Sequence, residues 1–198
     1  TGSISIDNAL TITGGADDIE AIFDNDSITG LDDDEALVVT GSPSVTQVNT
    51  LAALTSGDVT AAVTGDYAAL SQITNTGNLN LTITATGSVS STELTSLAAL
   101  GDVTLDGSIA GTLDDINTAI TNGEIDNAAG SDYTITDSIS VTELNALLAT
   151  VTTGTITATI TDQDTDTLTT IDTAGANGGV GAYTITVANT TAEDPDTE

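Results

Sequence analysis

The stretch Leu79-Asn-Leu-Thr-Ile-Thr-Ala-Thr-Gly-Ser-Val-Ser-Ser-Thr-Glu-Leu-Thr-Ser-Leu-Ala-Ala-Leu-Gly101 holds one whole structural unit. Leu79, Leu81 and Ile83 alternate with Asn80 and Thr82. That is the two-residue period of a strand with aliphatics inward and polar residues outward. Ser90 and Glu93 have the spacing of a capping box, in which the serine oxygen accepts the N3 amide and the carboxylate reaches back to the cap amide. Leu94, Leu97 and Leu100 then lie on one face of a short helix, and Gly101 closes it.

The same unit recurs along the chain. An apolar-Thr-small motif reads Ile12-Thr13-Gly14, Val39-Thr40-Gly41, Val63-Thr64-Gly65, Ile83-Thr84-Ala85, Ile109-Ala110-Gly111, Ile135-Thr136-Asp137, Ile160-Thr161-Asp162 and Ile185-Thr186-Val187. The apolar residues are spaced 27, 24, 20, 26, 26, 25 and 25 apart, which is the self-similarity of a repeat architecture. Further strands are expected at Val59–Val63 and Ile156–Ile160, where Thr alternates with aliphatics and suits the pleat through its branched Cβ. Short helices are expected at Ile19/Ile22, Val48/Leu51/Leu54, Leu70/Ile73, Leu113/Ile116, Leu144/Leu147 and Leu168/Ile171. Ser44 with Gln47 and Ser140 with Glu143 repeat the capping box. Asp114 and Asp115 sit in a first turn, where the helix dipole favours negative charge. Gly57, Gly77, Gly101, Gly123, Gly154 and Gly175 read as helix terminators.

Strand, turn, short helix and Gly turn in about 25 residues make one coil of a solenoid. The expected fold is an α/β solenoid of about 25-residue repeats, with parallel strands on one wall and short helices on the other. The alternative is a right-handed parallel β-helix with helical corners, and the capping boxes favour the α/β version. Residues 1–192 read as a single elongated repeat domain, and 193–198, acidic and containing Pro195, as a linker or tail.

Composition limits the chemistry. The 198 residues include no Lys, Arg, His or Cys, and 30 Asp plus Glu give a net charge of -30. Without those side chains there is no Ser-His pair, Schiff base, thiol nucleophile or imidazole zinc site. Nucleic acid would be repelled rather than bound. Hydrophobic residues make up 38%, too many for an acidic disordered tail. Aromatics are limited to Phe23, Tyr67, Tyr133 and Tyr183, so the core must be small and aliphatic. The tyrosines read as edge-packing or subunit-contact residues. There is no apolar run of about 18 residues for a membrane span, and membrane insertion is not expected. No catalytic role is expected.

Calcium is the expected cofactor, because Ca²⁺ takes six to eight oxygens from carboxylates and carbonyls on a bent loop. Two acidic clusters supply candidate ligands: Asp24, Asp26, Asp32, Asp34 and Glu35, with Asp33 among them, and Asp162, Asp164 and Asp166. In the first, Asp24, Asp26 and Glu35 occupy positions 1, 3 and 12 of an EF-hand or dockerin-like loop. That loop departs from the pattern at position 5, which is Ile28, and carries its glycine one place late, at Gly30. The second cluster has the first three acidic positions but no glycine or final glutamate where the pattern has them.

A cation-free, Cys-free, Thr/Asp/Gly-rich repeat array resembles the repetitive regions of very large acidic secreted surface and adhesin-like proteins of bacteria, including marine cyanobacteria. The resemblance is compositional and architectural and spans the whole chain. It implies an extracellular or cell-surface location and a structural role as stalk, surface layer, matrix or self-assembling fibre, with calcium as a hardening ion. The expected partners are copies of the chain itself or adjacent repeats of a longer chain. The alternative function is a binding module for ice or carbohydrate. Thr11/Thr13, Thr82/Thr84, Thr134/Thr136, Thr159/Thr161 and Thr184/Thr186 would give the outer sheet a broken threonine ladder.

Overall fold

Aliphatics at every second position draw the chain into strands, and the capped segments with apolar residues three apart place helices between them. The computed structural model describes residues 4–5, 10–31, 34–74, 77–161, 168–171 and 184–187, and it is an α/β fold with a parallel sheet. In chain order the elements are β1 (Ile4–Ser5), β2 (Thr11–Gly14), α1 (Ala16–Phe23), β3 (Ile28–Thr29), β4 (Ala36–Val39), α2 (Val45–Leu54), β5 (Val59–Gly65), α3 (Tyr67–Leu70), β6 (Leu79–Ser90), α4 (Ser91–Ala98), β7 (Gly101–Gly111), α5 (Leu113–Thr121), β8 (Asp132–Ile139), α6 (Val141–Leu148), β9 (Ile156–Ile160) and β10 (Thr184–Val187). All eight apolar-Thr-small motifs begin in a strand. The acidic tail at 193–198 lies outside the described residues.

Backbone contacts divide the chain into two units. The first comprises residues 1–87 and 92–106. Its strands lie in the order β2-β4-β5-β6-β7, each beside the next large strand of the chain. The register places Ile12 beside Leu37, Leu37 beside Val59, Val59 beside Leu79 and Val63 beside Ile83, all in parallel. Separately, β1 pairs with β3, Ile4 opposite Ile28. Val59, Ala61 and Val63 are buried while Thr60, Ala62 and Thr64 are exposed, so one face of the sheet is core and the other is surface. Helix α1 packs on β2 and α2, and α2 and α3 pack on β5. Ile19, Val48, Leu51 and Leu70 from these helices are fully buried. Each such aliphatic stabilises the fold by about 1.5–3 kcal/mol relative to exposure.

The second unit comprises residues 88–91 and 107–198. Its strands lie in the order β7-β8-β9-β10, all parallel. Between Thr134 and Ser138 the pairing of β8 with β9 shifts register. Helix α5 packs on β8. The core is Ile109, Ile116, Ile139, Leu144, Leu147 and Ile160. Tyr133 belongs to it as well, contrary to the edge role read from the sequence. Its ring is fully buried, and its hydroxyl donates to the Ala128 carbonyl at 2.7 Å. A buried ring with one satisfied polar tip fills volume that small aliphatics leave open. Tyr67 is half-buried at the start of α3, and Tyr183 lies outside the described residues.

The glycines read as helix terminators divide into two kinds, with Gly175 outside the described residues. Gly77 and Gly123 hold positive φ angles of 85° and 69°, the left-handed conformation expected where a helix or turn ends. Gly57, Gly101 and Gly154 do not adopt it. They stand where a Cβ would overlap the backbone carbonyl of Glu35, Leu81 and Ser131 respectively. These three positions are therefore close backbone approaches rather than helix caps.

Candidate functional site

The acids of the first expected cluster occupy different surroundings. Asp24 is exposed and ends α1, its backbone amide donating to the Glu20 carbonyl at 3.0 Å. Asp26 is exposed in the following turn, where the Ser27 amide donates to Asn25 Oδ1 at 3.0 Å and the Ile28 amide to the Asn25 carbonyl at 2.8 Å. That turn leads into β3, so Ile28 and Thr29 are engaged in a strand ladder with β1. Asp34 is exposed. Glu35 is fully buried, and its carbonyl accepts the Thr55 hydroxyl at 2.7 Å. Among the described residues, no three acidic side chains are grouped so as to hold a metal ion. Asp32, Asp162, Asp164 and Asp166 lie outside the described residues.

A shallow polar cleft of about 240 Å³ lies in the first unit, lined by Gly15, Ala16, Asp17, Asp18, Thr40, Ser42, Pro43 and Gln47. It sits past the carboxyl ends of β2 and β4, where α1 and α2 begin, the usual location for a ligand in a parallel α/β sheet. The Gln47 amide donates to Asp17 Oδ1 at 2.6 Å and spans it. Its two carboxylates present acceptors to donor-bearing or cationic groups.

The most consistent pattern is the wiring from one strand–helix pair to the next. In the first unit, Asn49 Nδ2 donates to the Gln72 carbonyl at 2.8 Å, and the Thr74 amide returns a bond to Asn49 Oδ1 at 2.8 Å. Asn78 Nδ2 donates to the carbonyls of Thr55 and Gly57 at 2.8 and 3.1 Å. In the second unit, Asn145 Nδ2 donates to the Thr170 carbonyl at 2.9 Å. Asp132 Oδ1 accepts the Thr155 amide at 2.7 Å, and Asp137 Oδ1 accepts the Leu113 amide at 2.9 Å. These partners are 21 to 25 residues apart. Asn49 and Asn145 both lie five residues after a capping-box serine, Ser44 and Ser140. The capping boxes at Ser44 and Ser140 are formed, with Gln47 and Glu143 as the reciprocal partners.

The sequence reading did not find these asparagines and aspartates, because a lone Asn or Asp at a helix or strand position carries no local sign of a partner more than 20 residues away. The recurrence of Asn five residues after the caps Ser44 and Ser140 is the signal that marks two of them, although Thr95 stands at that place after Ser90.

Comparison with protein-family models, with curated proteins and with solved structures gives no match.

Proposed function

We propose that this chain is a non-enzymatic, extracellular structural repeat module, an α/β solenoid segment of a stalk, surface layer, matrix or self-assembling fibre. The observation that carries this reading is the one-repeat span of the side-chain hydrogen bonds in each unit, together with strands that pair in the order in which the chain makes them. Each repeat is joined to its neighbour by the same kinds of group, which is how a repeat array distributes its stability. The missing basic side chains fit an exposed life, since Lys and Arg are the residues at which trypsin-type proteases cut. High acidity keeps the surface hydrated in salt, where screening weakens self-repulsion. Ca²⁺ is the stabilising ion of this reading.

Electron microscopy of the full chain in high salt tests it. Rods or fibres support an assembling scaffold, and isolated particles that never associate count against one.

The exposed threonines Thr60, Thr64 and Thr82 favour one second reading, a module that binds ice or carbohydrate with its outer sheet face. Thermal hysteresis and a glycan array address it, and blanks in both remove it.

A further inference from the structure

We propose that Asn122–Gly123, at the carboxyl end of α5 in the second unit, is a self-modifying site, where the chain turns its own side-chain amide into a carboxylate with water as the only co-reactant. Among the described residues, Asn122 is the one asparagine followed by glycine. The helix stop dictates this pair. Asn122 is the C-cap, with φ -75° and ψ -8°, and Gly123 follows at φ 69°. The Gly123 amide donates to the Ile120 carbonyl at 3.2 Å, and the Glu124 amide to the Ala119 carbonyl at 3.0 Å. That paired closure calls for a residue at positive φ, which glycine adopts without strain. Glycine in turn has no side chain to shield its own nitrogen from the neighbouring carboxamide, and a Cβ there would meet nothing within 4 Å. Both residues are exposed to water.

In the reaction the Gly123 nitrogen attacks Asn122 Cγ. A new C–N bond forms and the carboxamide C–N bond breaks. Ammonia leaves, carrying the proton that the Gly123 nitrogen gives up, and a cyclic imide remains. Water then opens the imide at one carbonyl or the other, to aspartate or to isoaspartate. In the closed turn the Gly123 N–H is held by the Ile120 carbonyl, so attack follows opening of that turn. Helix ends are among the parts of a fold that open at least cost.

Either product weakens the turn that produced it. Asn122 Nδ2 donates to Glu124 Oε1 at 3.3 Å. A carboxylate in its place has no hydrogen to donate, meets a like charge, and lies at the helix end where the dipole disfavours negative charge. With no Lys, Arg or His in the chain, no side chain neutralises it. Isoaspartate also lengthens the main chain between residues 122 and 123 by one carbon, which puts the two closing bonds out of register. Ile125, only 4% exposed, follows directly, so the change bears on the core of the second unit.

Ageing the full chain at mildly alkaline pH, folded and in urea, with peptide mass spectrometry of the segment holding Asn122, tests the proposal. Asn122→Gln is the blocked variant, because its side chain would have to close a larger ring. Conversion at position 122 is expected in the folded wild type, and about tenfold or more faster in urea, where no turn has to open first. Asn122→Gln should show none at that position. Asn122→Asp should lower the urea midpoint more than Asn117→Asp, which adds the same charge at an exposed position in mid-helix. A folded chain that never converts at 122, while the chain in urea does, overturns the site, because the turn then protects the pair. Equal rates in the two states overturn the control exerted by the turn. Equal midpoints for Asn122→Asp and Asn117→Asp overturn the weakening of the helix end.

Discussion

Asp137 Oδ1 accepts the Leu113 amide at 2.9 Å, so a strand residue 24 positions downstream closes the first turn of α5. The helix's own cap, Thr112, accepts the Asp115 amide at 3.2 Å, and two of the open amides at that end are thus met, one locally and one from β8. Asp137→Ala should cost about 1–2 kcal/mol, the usual range for a lost charge-assisted or capping bond. Asp137→Asn retains an acceptor and should cost less. Urea midpoints of the three proteins check the order.

Gly101→Ala should be more damaging than its small size suggests. The added Cβ overlaps the Leu81 carbonyl, which is backbone and cannot swing aside. A loss of about 2–4 kcal/mol is expected, as for overpacking in a tight interior. Gly87→Ala is the comparison: φ is 79° with nothing within 4 Å of the new atom. Only backbone strain is added there, about 1–2 kcal/mol. Equal losses in denaturant titrations would remove the close approach as the reason for Gly101.

Glu143 makes the Ser140 capping box sensitive to acid. The Ser140 amide hydrogen bond, and then the Ser140 hydroxyl, hold its carboxyl below the ordinary 4.5. A pKa lowered by folding gives stability that is present above the unfolded value and lost as pH falls through the folded one. Glu143→Gln keeps an acceptor for the cap and removes the titration. The stability difference between wild type and Glu143→Gln should therefore narrow or reverse as pH drops from about 4.5. A difference that does not vary with pH would rule the linkage out.

Tyr133 gives the opposite dependence at high pH. Burial pushes its hydroxyl up from 10.0 to about 12, against a smaller lowering by the Ser131 side chain. Here the neutral form suits the fold, so the contribution is complete below the unfolded value and is lost as pH rises toward the folded one. Tyr133→Phe should lose about 1 kcal/mol at neutral pH with the bond to Ala128. It should then show the flatter stability profile between pH 10 and about 12. Absorbance titration of the phenolate in both proteins assigns the late-titrating group.

Calcium is tested by melting the full chain with EDTA and then with millimolar Ca²⁺. Specific sites in the acidic clusters should raise the midpoint beyond what NaCl of matched ionic strength achieves, because a ligand bound only by the folded state stabilises by mass action. Equal midpoints would reduce Asp24, Asp26 and the other cluster acids to surface charge.

Much of the fold is legible because its signals are local. Val59–Val63 alternates, Ser44 and Ser140 carry their reciprocal partners three residues on, and the recurring motif marks the strands. Gly57, Gly101 and Gly154 were misread for the complementary reason: a glycine shows that a side chain is missing, not what occupies its place. The pairing of β1 with β3 was missed because two residues are too few to show a period. Glu35 illustrates the limit for the candidate site. Motif spacing made it the final ligand of a loop, yet it is in phase with Leu37 and Val39 on the buried side of the strand. Strand parity was the stronger guide to its surroundings, and it was readable in the sequence.

Side-chain hydrogen bonds between neighbouring strand–helix pairs also bear on how such a chain folds. The bridging bonds of Asn49, Asn78, Asp132, Asp137 and Asn145 close loops of 21 to 25 residues. Contacts so close in sequence cost little loop entropy, so each strand–helix pair can dock on the one before it without waiting for a distant part of the chain.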